Sequence, residues 1–184
     1  MKRLLSLLVA WALILAAPGS FAQVSTDAGK TGIARAAHLL CSSAVAVSVT
    51  GTTSETALAT CTIPAGAMGL NGGLQVHTTW TVTNSVNDKN TRIRLGGIAG
   101  TQFYNNTHTT VATVHDFRRI RNRGGASSQV AGIGAASGSF GSSATAITTG
   151  SVDTAVSQDL ILSCQLELSS ESCTLESYEA WLLP

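Results

Sequence analysis

The chain has little charge and few aromatic side chains. Only 11% of its 184 residues are Asp, Glu, Lys or Arg, and 5% are Phe, Trp or Tyr. Eleven basic residues against 10 acidic ones leave a formal charge of +1. Counterion displacement from phosphates needs a strong basic excess, so bulk electrostatic binding of nucleic acid is excluded. Catalytic patterns are missing as well. There is no G-x-S-x-G, H-E-x-x-H or Walker sequence, no C-x-x-C, and no Cys after the apolar front run of the kind a lipoprotein carries. His115-Asp116 is the one adjacent His–acid pair. On a strand such neighbours point to opposite faces and cannot orient one another as a dyad. The reading is therefore a chain with no catalytic, cofactor-binding or metal site.

What is present begins with a greasy front. Residues 1–22 hold 16 apolar side chains, two basic ones (Lys2, Arg3) and no acid. Leu4–Ala17 is apolar apart from Ser6, Pro18-Gly19 breaks it, and the small residues Ser20 and Ala22 suit a signal peptidase cutting before Gln23. Residues 1–22 thus read as a signal peptide or N-terminal anchor, with no stable membrane association once they are removed. The remaining 184 − 22 = 162 residues carry 9 basic and 10 acidic groups, a charge of −1. Export would bring the chain into oxidising surroundings, a virion or the extracellular space, and make Cys41, Cys61, Cys164 and Cys173 disulfide candidates. Four cysteines allow three pairings. Cys41 and Cys61 flank the turn-rich Thr50–Thr53, and Cys164 and Cys173 flank Ser169–Ser172, so hairpin geometry favours 41–61 with 164–173.

From Gln23 on, 42 Ser+Thr and 17 Gly displace helix formers. Alternation of period two recurs. Leu74, Val76, Thr78, Trp80 and Val82 share one face; Ile93 and Leu95 oppose Arg92 and Arg94; Leu160, Leu162, Cys164, Leu166 and Leu168 share another. Turn residues fall between these runs, at Pro64–Gly66, Leu70–Gly73, Asn84–Asn90, Gly96-Gly97, Asn105-Asn106 and Asn122–Gly125. The expectation is an all-β fold, an antiparallel β-sandwich or jelly roll of about 8–10 strands. Strands are expected near 43–49, 56–63, 73–83, 91–98, 109–122, 128–133, 144–150, 159–168 and 173–182. Residues 23–40 read as a flexible arm, 41–184 as the single domain, and Gly132–Gly150 as a long loop or a poorly packed strand pair.

Positive charge gathers in two places. On a strand, Arg119, Arg121 and Arg123 share a face with Phe117 while Arg118 takes the other, and Arg92 and Arg94 form a shorter stripe. Such ladders suit a polyanion, an acidic sugar or a neighbouring subunit's carboxylates. The plainer reading is cross-strand pairing with Glu167, Glu176 or Glu179. Trp80 is in phase with the core. Trp181, and Phe103-Tyr104 in an Asn-rich turn, are the aromatics placed to meet a partner.

Residues 62–97 (TIPAGAMGLNGGLQVHTTWTVTNSVNDKNTRIRLGG), 119–130 (RIRNRGGASSQV) and 158–183 (QDLILSCQLELSSESCTLESYEAWLL) together resemble a family of small β-rich bacteriophage virion proteins. The resemblance implies a jelly-roll-like, non-enzymatic tail-fibre, tail-tip or head-decoration part, working as a homotrimer and contacting other virion proteins or a host-surface glycan. A signal-like front and these cysteines depart from that family's pattern. The alternative is a secreted carbohydrate-binding or carbohydrate-active protein using Trp181, Tyr104 or the ladder around Arg121, with Asp116, Glu176 or Glu179 as its acids.

Overall fold

Period-two alternation in a Thr- and Val-rich chain produces strands throughout. The computed structural model describes residues 36–132 and 146–184, so the front segment 1–22 and most of the Gly132–Gly150 stretch lie outside the described residues. Eleven strands follow in order: β1 His38–Ser43, β2 Val47–Val49, β3 Thr56–Ile63, β4 Gly73–Val82, β5 Lys89–Leu95, β6 Thr101–His108, β7 Thr113–Asn122, β8 Gln129–Ala131, β9 Thr148–Gly150, β10 Gln158–Leu166 and β11 Cys173–Leu183.

Their pairing is nested. The antiparallel partners are β2 with β11, β3 with β10, β4 with β7 and β5 with β6, each pair lying inside the previous one in sequence. Alternate pairs enter different sheets. The large sheet runs β1-β11-β4-β7-β8-β9, with β2 also on β11, and the small sheet runs β3-β10-β5-β6. A long hairpin rolled up in this way is a jelly roll, an antiparallel sandwich of two Greek keys.

The inner faces meet in one core. Leu74, Val76, Trp80 and Ile120 of the large sheet pack with Ile63, Ile93, Leu95, Leu160 and Leu162 of the small one. Trp80 keeps its indole satisfied by donating to Thr78 Oγ1 at 2.8 Å, two residues back on the same face. Both disulfides join one sheet to the other. Cys41 of β1 bonds Cys61 of β3, and Cys164 of β10 bonds Cys173 of β11. Hairpin logic favours the same pairs, yet neither bridge closes a hairpin within a sheet: each is a staple across the sandwich.

Several expectations need correcting. The arm was expected to extend through residue 40, but His38–Leu40 already belong to β1, because β11 offers a free edge there and Leu40 packs on the core. The strand expected at 43–49 is two pieces, broken where Val45 N donates to Ser43 Oγ at 3.1 Å. Phe103-Tyr104 and Asn105-Asn106, read as an Asn-rich turn, lie within strand β6. Phe103 is consequently core, 4% exposed, at a bulge opposite Ile93 and Arg94. Its ring lies against Gly150, where an added Cβ would meet Phe103 Cζ at 2.4 Å. The buried face of β10 stops at Leu166, and Leu168 stands in the following turn, 46% exposed.

Candidate functional site

The two arginine stripes have different fates. On the outer face of the small sheet Arg92 and Arg94 project from β5 beside Ser163 of β10. Glu55, just before β3, folds over them. Arg94 Nε donates to Glu55 Oε1 and its Nη2 to Oε2, each at 2.7 Å, while Arg92 Nη1 reaches Oε2 at 2.9 Å and Ser163 Oγ reaches Oε1 at 2.6 Å. The acid expected among Glu167, Glu176 and Glu179 is thus Glu55. Glu167 instead accepts from Asp88 N, because the nested topology brings the residue before β3 across β10 to β5.

Burial alone pushes the Glu55 carboxyl up. The hydrogen bonds from Arg94 and Ser163 and the charges of Arg92 and Arg94 outweigh it and hold the group at about 2, against 4.5 ordinarily. A depressed folded value means stability present above the unfolded value and lost as pH falls toward the folded one. Glu55→Gln should therefore cost about 1–2 kcal/mol at neutral pH, allowing for solvent screening. The gap to the native protein should close between about pH 4.5 and pH 2 in urea titrations. A gap independent of pH would contradict the assignment.

The interior edge between β6 and β7 is polar. Tyr104 OH donates to Asp116 Oδ1 at 3.0 Å, Arg118 Nη2 to the same oxygen at 3.2 Å and also to Tyr104 OH, and the guanidinium lies 3.8 Å from the Tyr104 ring centre. Asp116 Oδ2 and Arg118 Nε are buried with no partner among the described residues. Burial and the Asp116 charge push the Tyr104 phenol far up. His108 shares a 2.9 Å hydrogen bond with Thr91, and burial holds its ring below the ordinary value, with the Lys89 charge adding to the effect and Asp116 opposing it. Lys89 is fully buried, its ammonium donating to Ser85 O, Ser85 Oγ and Asn87 O at 3.2, 2.8 and 2.6 Å. Glu171 accepts from Asn87 and Ser85, which lower its carboxyl. These groups tie loops together. The crevice beside Ile93, Phe103, Tyr104, Arg118 and Ile120 is too narrow to admit water. Tyr104 therefore points inward, away from any partner, contrary to its expected place in an exposed turn.

The outer face of the large sheet is the surface with unspent chemistry. Register sets Leu39, Trp181, Gln75 and Arg119 in one row across β1, β11, β4 and β7, and Ser42, Glu179, His77 and Phe117 in the next. Arg119 Nε and Nη2 donate to Gln75 Oε1 at 3.1 and 2.9 Å, and Gln75 Nε2 donates to His77 Nε2 at 2.9 Å. Phe117, 43% exposed, meets the His77 ring edge-on at 4.8 Å, with the Arg119 guanidinium 5.3 Å from its centre. Trp181 Nε1 donates to Glu179 Oε2 at 3.0 Å. Arg121 lies across Gly73, where a Cβ would strike Ile120 O at 2.4 Å, and its Nη2 reaches Asn71 O and Pro184 O, both at 3.0 Å. Among the described residues no acid pairs with Arg119, Arg121 or Arg123.

Of the residues singled out in the sequence, the structure brings Arg119, Arg121 and Trp181 to one face, leaves Arg123 just past β7 with its N donating to Ser128 O, sends Arg92 and Arg94 to the opposite sheet, and takes Phe103 and Tyr104 inside. Gln75, His77 and Glu179 join the face, and alternation against Val76 and Trp80 already assigns the first two outward. Asp116 is buried and Glu179 exposed on opposite faces of the large sheet, so they do not converge as an acid pair. Among the described residues no three His, Cys, Asp or Glu side chains gather to hold a metal ion.

No known protein family matches the sequence, and no curated protein matches it. Among solved structures the chain is similar to one titled "Structure of infectious bursal disease virus Gx strain", at 8% identity and a TM-score of 0.25, over 80% of this chain and 40% of that one. The chain thus spans less than half the length of that protein, and so loose an overlap bears on neither fold nor function.

Proposed function

We propose that the chain is a non-enzymatic structural module of the virion type, a homotrimer held together by sheet edges and presenting an open sheet face to a partner. The observation that carries this reading is the outer face of the large sheet, where rigid, in-register side chains point outward with no acid pairing the arginines. The motifs that resemble phage virion proteins fall in β4, β5, β10 and β11, the paired centre of both sheets, with their neighbours in β3, β7 and β8. Edge strands β1 and β6 are open templates, and closed symmetry is the usual way such edges are covered. Disulfides persist outside reducing cytosol, which suits a virion or a secreted location.

Light scattering on the full, oxidised chain tests this. A mass of three chains that holds on dilution to micromolar concentration is expected, and a stable monomer would overturn the trimer.

A further inference from the structure

We propose that the outer face of the large sheet is a platform for an acidic polysaccharide, its carboxylate or sulfate groups held by Arg119 and Arg121 and its sugar rings stacked on Trp181 and Phe117. This deepens the reading of that face as a partner surface and rests on it. Trp181 and Phe117 stand on β11 and β7, with β4 between them, one same-face step apart along the strands. Two strand spacings of ~4.8 Å and one step of ~7 Å separate them by roughly 12 Å, of the order of a disaccharide.

Between the two rings lie Gln75 and His77, planar groups that suit the hydroxyls of a sugar. They are already fixed by hydrogen bonds to Arg119 and to each other. A platform ordered before binding loses little rotamer freedom when it binds.

Charge selects the ligand class. Arg92 and Arg94 share Glu55, so the small sheet's stripe is closed by the chain itself. Arg119 is joined to a neutral amide, which leaves its charge uncancelled, and Arg121 donates to Asn71 O and Pro184 O. Two acids of β11 lie on the same face: Glu179 is turned to the Trp181 indole, and Glu176 stands at the bulge beyond it. A neutral glycan would leave the Arg119 guanidinium without counter-charge, whereas a uronate or sulfate pairs with it, and with its neighbour Arg121, in forked, charge-assisted bonds.

The test uses the full oxidised chain with three probes of matched length: a sulfated polysaccharide, polygalacturonate and neutral dextran. Calorimetry should show binding to at least one acidic probe, weakening as salt rises, and none to dextran. Arg119→Gln with Arg121→Gln should weaken it about tenfold or more. Phe117→Ala, an exposed position, should weaken it several-fold while leaving the salt dependence intact. Equal binding of dextran, or none of either acidic probe, would overturn the proposal. So would a change of oligomeric mass in the arginine variant, since the face would then be a contact between copies. A trimer that binds no acidic probe sinks this proposal and spares the structural reading; a monomer that binds one does the reverse.

Discussion

Reducing both disulfides will lower the stability of the folded chain by about 6 kcal/mol. Closing loops of 20 and 9 residues removes denatured-chain entropy worth about 3.3 and 2.6 kcal/mol. A domain of this size is stable by only ~5–15 kcal/mol, so the loss removes from about two-fifths of that stability to all of it. Both bridges join sheet to sheet, so their loss frees the two layers to separate. Cys61, Cys164 and Cys173 are buried, while Cys41 is half-buried at the β1 edge. Thiol attack should therefore open Cys41–Cys61 first. Alkylation and mass spectrometry during mild reduction give the order, and urea titration with and without reductant gives the energy. A urea midpoint unmoved by reductant would show that the core alone holds the sheets.

Alternation made β4 and β5 legible, along with the outward face of β7, because each of these strands has one face in the core and one outside. Strand β10 was legible from its leucines, although Ile161 and Ser163 on its other face are buried too. Strand β6 was not legible, for two reasons. As the edge of the small sheet it tolerates Asn105-Asn106, which a central strand would reject. Its inner positions are themselves polar, Tyr104 and His108, and the bulge at Phe103 breaks the period. Glu55 was hidden by topology: its partners lie 37, 39 and 108 residues away and become neighbours only once β3, β10 and β5 pair. Lys89 was lost among turn residues for a related reason, since the oxygens that surround it belong to the loop it organises. Period two reports which face of a strand is buried and says nothing about which strand lies alongside. In a nested fold nearly every functional neighbour depends on the second fact.

Arg118→Ala will destabilise the fold by about 3 kcal/mol by leaving Asp116 buried without its cation. Asp116 is 7% exposed and would keep one hydrogen bond, from Tyr104. The penalty belongs to the orphaned charge and not to lost packing, and a second variant separates the two. Replacing the whole cluster with apolar groups, Asp116→Leu, Arg118→Met and Tyr104→Phe, should recover most of the loss, to within about 1 kcal/mol of the native protein. Arg118 sits between Phe117 and Arg119, so β7 carries the exposed platform on one side and this ion pair on the other. Breaking the pair loosens the strand that presents Phe117 and Arg119, and amide exchange along β7 should accelerate in Arg118→Ala before it does in β4. If Arg118→Ala melts like the native protein, water reaches Asp116 and β7 is held by its ladders with β4 and β8.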